Sequence, residues 1–106
     1  SGILGTAFLY MDYTAPIDAI REEFFRIVED HPLWDKRVKV LHITNTTERT
    51  IEIRLLISAS TSGRAFDLRC DLREKMITFI QQHYPDALPR ERVTLNAEGG
   101  TLDAAR

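Results

Sequence analysis

The chain has 106 residues, with 14 Lys and Arg against 16 Asp and Glu and a formal net charge of −2. That length suits one domain with its own core, and the near balance of charge excludes a general attraction to nucleic acid or anionic lipid. The single cysteine, Cys70, excludes an internal disulfide and fits a reducing compartment, and no apolar run approaches the roughly 20 residues that span a bilayer.

Residues 3–13 are rich in aromatic and aliphatic types with imperfect alternation, which predicts a strand with apolar contacts on both faces. Thr14-Ala15-Pro16 is a helix entry, because a proline there lacks only an N–H that would go unpaired anyway. Asp18, Glu22 and Glu23 suit the positive end of that helix. Ile17, Ile20, Phe24, Ile27 and Val28 recur at helical spacing and end before Pro32. Phe25 falls off this stripe and is a candidate for a contact beyond the domain. His31-Pro-Leu-Trp-Asp35 reads as a connector with Leu33 and Trp34 tucked against a sheet. Arg37 to Thr44 reads as a strand in which either Val38, Val40 and His42 or Leu41 and Ile43 face the core. The polar run Thr44 to Glu48 is a hairpin turn.

The next stretch organises the rest. From Thr50 to Ser58, Ile51, Ile53, Leu55 and Ile57 share one face, with Glu52, Arg54 and Ser58 on the other and Leu56 alone apolar on the wet side. A long helix is predicted from about Ser62 to Tyr84. Ala65, Leu68, Leu72, Met76, Phe79 and Ile80 form its stripe, and Phe66, Cys70, Ile77 and Tyr84 widen it to an arc of roughly 200°, against about 100° for a stripe facing one core. The surplus predicts a second surface, most simply another subunit. Pro85 and Pro89 stop the helix, Arg92 to Leu95 reads as a last short strand, and residues 96–106 read as a frayed tail. The order strand, helix, strand, strand, helix, strand predicts an α+β fold, a ferredoxin-like βαββαβ sandwich whose antiparallel sheet carries both helices on one face.

Little in the sequence points to covalent chemistry. His31, His42, His83 and Cys70 share no ligand spacing, so no metal site is expected. His31 reads as a residue complementing the end of the first helix. Cys70 reads as a small hydrophobe on the edge of the apolar arc, with no base beside it in sequence to activate it. Asp67, Asp71 and Glu74 read as a charged outer face of the long helix. No catalytic residue and no cofactor are expected, and no glycine pattern would hold phosphate. Arg69 and Arg73 lie within the arc, one turn apart; either their stems cover apolar surface or their heads meet carboxylates of another subunit. The predicted hairpin strands carry no aromatic, so RNA recognition by the sheet is not expected either.

Five blocks carry a resemblance: residues 5–13 (Gly-Thr-Ala-Phe-Leu-Tyr-Met-Asp-Tyr), Ala15-Pro-Ile-Asp18, His31-Pro-Leu-Trp-Asp35, Thr47-Glu-Arg-Thr50 and residues 64–74 (Arg-Ala-Phe-Asp-Leu-Arg-Cys-Asp-Leu-Arg-Glu). In this order they resemble the carboxy-terminal cytosolic domain of the bacterial small-conductance mechanosensitive channels, over about residues 3–95. Lys36 departs from the pattern, since related chains often carry glycine there. The resemblance implies a non-enzymatic role in a homo-oligomer, usually of seven subunits, whose soluble halves enclose a vestibule beneath a pore in the bacterial inner membrane, on its cytoplasmic side. Membrane tension would open the pore under osmotic stress, and ions and small osmolytes would leave through portals between subunits. Because the chain begins at Ser1-Gly2 without methionine, it is expected to be a piece of a longer protein whose transmembrane segments precede it.

For the subunit contact the expected residues are Phe66, Arg69, Cys70, Arg73 and Ile77. The rival expectation, from another class, is a free-standing ferredoxin-like module that binds a small molecule and dimerises.

Overall fold

Along Ile51–Ala59 every second side chain is buried, and all five of them, Ile51, Ile53, Leu55, Ile57 and Ala59, point to one side of the middle strand of a sheet. The computed structural model describes residues 2–89. In chain order the elements are strand β1 (Ile3–Met11), helix α1 (Ile17–Glu29), strands β2 (Lys39–Thr46) and β3 (Ile51–Ala59), helix α2 (Ser62–His83) and a 3₁₀ turn, Pro85–Ala87. The fold is α+β, with a three-stranded antiparallel sheet of order β1-β3-β2. That arrangement is compatible with the ferredoxin-like plan. The expected last strand, Arg92 to Leu95, and the expected tail lie outside the described residues.

The register explains which faces are wet. Ala7, Leu9 and Met11 of β1 stand opposite Leu55, Ile53 and Ile51, and Leu41 of β2 stands opposite Leu55. These side chains form one core with Ile20, Phe24 and Val28 of α1 and with Leu68, Leu72, Met76 and Ile80 of α2. Both helices therefore pack on the same side of the sheet. Each fully buried Leu, Ile or Phe in this layer contributes about 1.5–3 kcal/mol of transfer free energy. In β2 the alternative with Leu41 on the core side is the one realised, but Ile43 is exposed beside a bulge between Ile43 and Asn45. The bulge shifts the register at the end of the hairpin, after Ile43, which stands on an outer strand opposite the buried Ile53.

Local chemistry sets the helix ends. Pro16 precedes α1 and supplies no side-chain cap, whereas the Thr61 hydroxyl accepts the Arg64 N–H and caps α2. Leu33 and Trp34 pack against the core as expected from their place in the connector, and Trp34 Nε1 donates to the Val38 carbonyl at 2.9 Å. Gly5 lets β1 pass close under α2: a Cβ there would sit 3.0 Å from the Ile57 Cδ1 and 3.4 Å from the Ala65 carbonyl.

Candidate subunit interface

At about 100° per residue, the buried line of α2 through Ala65, Leu68, Leu72, Met76 and Ile80 divides the remaining side chains into two flanks. One flank carries Phe66, Arg69, Cys70, Arg73 and Ile77, the five residues expected at a subunit contact. It overhangs the edge of β1 that faces away from β3, since Arg69 Nη1 reaches the Thr6 carbonyl at 3.5 Å. The pairing of β1 with β3 uses the backbone groups of odd residues, which leaves those of Leu4, Thr6, Phe8 and Tyr10 on the edge that faces away from β3. Phe66 is 56 % exposed, with the Arg69 guanidinium 5.0 Å from its ring centroid. Cys70 and Arg73 are half-buried, and Ile77 packs partly against the core. Arg73 makes no hydrogen bond or ion pair among the described residues.

The opposite edge of the sheet repeats the device. Arg21 of α1 reaches down to the Leu41 carbonyl of β2 through Nε at 3.4 Å and Nη2 at 3.3 Å. Among the described residues, each outer strand of the sheet thus has one outward carbonyl taken by an arginine of the helix above it. An occupied carbonyl hinders the addition of a further strand, which is one way a protein protects an exposed edge. Beside Arg21, the outer flank of α1 carries Asp18, Glu22, Phe25 and Glu29. Asp18 pairs with Arg21 at 3.1 Å and Glu29 with Lys39 at 3.3 Å, and the Lys39 ammonium also lies 4.9 Å from the Phe25 centroid. Phe25 is therefore covered partly by the domain's own lysine.

Between the two helices, on the side away from both edges, runs a groove of about 890 Å³ lined by side chains that include Glu23, Arg26, His31, Asp71, Glu74, Lys75 and Phe79. Its floor is fixed by His31, whose side chain is only 8 % exposed. Leu33 N–H donates to His31 Nδ1 at 3.2 Å, so in the neutral ring the proton sits on Nε2, which lies 2.7 Å from Asp71 Oδ2. Asp71 also pairs with Lys75 at 3.1 Å. The His31 hydrogen bond, with Lys75 adding to it, holds the Asp71 carboxyl below its ordinary range against the opposing effect of burial. Two sequence readings are corrected here. Asp71 does not share a solvated outer face with Asp67; with Glu74 it lines the groove. His31 does not merely complement a helix end; it clasps the connector to α2, a contact forty positions away in sequence that no local pattern could signal.

The outer face of the sheet was also not legible as a surface. Leu4, Phe8 and Tyr10 of β1 are exposed there, with Phe8 opposite Arg54 and Tyr10 opposite Glu52. Tyr10 and the Thr44 hydroxyl both donate to the Glu52 carboxylate, at 3.1 and 2.8 Å, and the Tyr10 hydroxyl is pushed up in pKa by that bond. The aromatics absent from the hairpin are supplied by β1, and the only signal for this was the doubly apolar character of residues 3–13.

Among the described residues no group of three His, Cys, Asp or Glu side chains is placed to hold a metal ion, and no helix is long and apolar enough to cross a membrane. No family model and no curated protein matches the chain.

Proposed function

We propose that this chain is the vestibule-wall domain of a small-conductance mechanosensitive channel, a part that shapes a cage and holds subunits in register without covalent chemistry. The observation that carries the reading is the order of five sequence blocks, from Gly5 to Glu74, within one α+β domain. Position 36 adds support. Lys36 has a φ of 67°, a backbone conformation that glycine adopts freely and other residues adopt at a cost. The glycine that the resemblance leads one to expect at this position would adopt the same backbone conformation without that cost. The flank of α2 at the β1 edge agrees with the role, because it offers apolar and cationic side chains that the domain itself leaves partly uncovered. The role gives the domain a homo-oligomeric partner and a place on the cytoplasmic side of a membrane.

The test is to read the coding region upstream of Ser1 and record from membrane patches containing the full-length product. Tension-gated currents that depend on this domain are the expected result. An upstream region that encodes no apolar segments, or a full-length protein with no such current, would sink the proposal. The groove between α1 and α2 favours one second reading, a free-standing module that binds a small molecule and dimerises; a metabolite that raises the melting temperature and drives dimer formation would decide for it.

A further inference from the structure

We infer that His31 is a proton-operated latch on the connector between α1 and β2: the neutral imidazole ties the connector's first turn to α2, and the imidazolium keeps α2 but releases the turn. The latch does not depend on the vestibule-wall reading. It rests on the two bonds of one ring whose side chain is only 8 % exposed. Nδ1 accepts the Leu33 N–H at 3.2 Å, and Nε2 lies 2.7 Å from Asp71 Oδ2. Pro32 has no N–H, so that of Leu33 is the first one beyond the ring. Only the neutral ring makes both bonds, because an imidazole nitrogen that carries a proton donates and no longer accepts. With Nε2 already protonated toward Asp71, an added proton goes to Nδ1, where it displaces the Leu33 N–H.

The neighbours decide which bond gives way. On α2, Asp71 meets the ring directly, Lys75 lies 3.1 Å from the same carboxylate oxygen, and Glu74 and His83 line the same groove. On the α1 side the groove is lined by Asp30 and by Arg26, whose guanidinium is taken by Glu23. Four carboxylates therefore stand against Arg26 and Lys75, and the groove holds no excess of positive charge to oppose a proton. The Asp71 carboxyl is held below its ordinary range by His31 and Lys75, so it stays ionised where imidazoles titrate. Its bond to Nε2–H survives protonation and becomes charge-assisted; the Leu33 bond is lost. The released stretch is short, because the connector is pinned again just beyond it. Trp34 Nε1 donates to the Val38 carbonyl at 2.9 Å, and Ser58 Oγ donates to Asp35 Oδ1 at 2.5 Å. Trp34 stands between the two anchors, partly buried against the core, with the Lys36 and Lys39 ammoniums 5.9 and 5.4 Å from its ring centroid. It is the single tryptophan of the chain and reports the turn from within.

The test follows the unaltered chain between about pH 5 and 8, the range in which imidazoles change charge. Nitrogen-15 NMR of the rings is expected to show His31 as the Nε2–H tautomer at the upper end. As His31 takes up its proton, the hydrogen-exchange protection factor of the Leu33 amide should fall about threefold to tenfold, and Trp34 emission should change with the same midpoint. His31→Asn cannot titrate but supplies a side-chain oxygen able to accept the Leu33 N–H, so both readouts should lose their pH dependence. His42→Gln and His83→Gln, at exposed positions, should keep it. A His31 ring that carries its proton on Nδ1 when neutral would overturn the latch. So would Leu33 protection that stays constant while the ring titrates, or a Trp34 transition that persists in His31→Asn. The tautomer and the amide exchange are read on the unaltered chain, which keeps the test decisive should His31→Asn fail to fold.

Discussion

Arg69 reaches across the β1 edge that faces away from β3 to the carbonyl of Thr6, sixty-three positions earlier in the chain, with Nη1 at 3.5 Å from the oxygen. The bond is long and half-exposed, so its own contribution to stability is small, below about 1 kcal/mol. Its larger effect is to occupy an outward carbonyl that another strand could use. Arg69→Met, which keeps the length of the stem, is expected to change the denaturant midpoint little but to raise strand-mediated aggregation on heating, followed by light scattering and thioflavin fluorescence. Unchanged aggregation would show that the edge is protected by something else.

The clasp between His31 and Asp71 predicts an acid-sensitive fold. The Asp71 carboxyl is held below its ordinary value in the folded chain by His31 and Lys75. A group with a depressed folded pKa stabilises fully above its unfolded value and loses that contribution as the pH falls through the folded one. The contribution of this carboxylate should therefore be lost as the pH falls below the ordinary carboxylate range. In Asp71→Asn that loss should be absent when urea midpoints are compared across pH.

The same clasp predicts coupling between distant segments. His31→Ala removes a ring that is nearly buried and leaves the Leu33 N–H without its acceptor, for an expected cost of about 1–3 kcal/mol. A double-mutant cycle with Asp71→Ala should give a coupling energy of about 0.5–1.5 kcal/mol, since the carboxylate side of the pair is partly solvated. Strict additivity would mean that the 2.7 Å contact contributes nothing in solution.

Lys36 occupies the left-handed region, with φ of 67°. Lys36→Gly should raise stability by up to about 1 kcal/mol, the strain relieved exceeding the extra entropy of the unfolded glycine. The gain is reduced by loss of the lysine ammonium 5.9 Å from the Trp34 centroid, a contact worth about 0.5 kcal/mol at an exposed site. A melting temperature that falls would show that this contact outweighs the backbone strain.

Two neighbours on α2 should behave oppositely. Leu68 is fully buried in the core, and Leu68→Ala should cost about 2–5 kcal/mol. Phe66, two residues earlier, is largely exposed; Phe66→Ser should shift the isolated domain by less than about 0.5 kcal/mol. Both values come from chemical denaturation. A large loss for Phe66→Ser would assign that ring to the core of its own subunit rather than to a surface left for another.

The sequence by itself determined the order of the elements from β1 to α2 and the buried faces of α1, β3 and α2, because these rest on local periodicity. Alternation along residues 51–59 and the helical spacing of Ile20, Phe24 and Val28 can be read without knowing where the chain goes next. The helix cap was a local matter too, since Thr61 bonds the N–H only three residues on. The tertiary structure alone decided what joins across the chain. The order β1-β3-β2 put Phe8 and Tyr10 beside Arg54 and Glu52, and packing of α2 on that sheet set Arg69 over Thr6. It also removed Asp71 from the outer face on which helical spacing had placed it, because α1 and the connector came to lie against that side. A helical wheel gives the angle of a side chain about its own axis but not what stands at that angle. That is fixed by how two helices share one sheet face, and by which edges of the sheet they leave open.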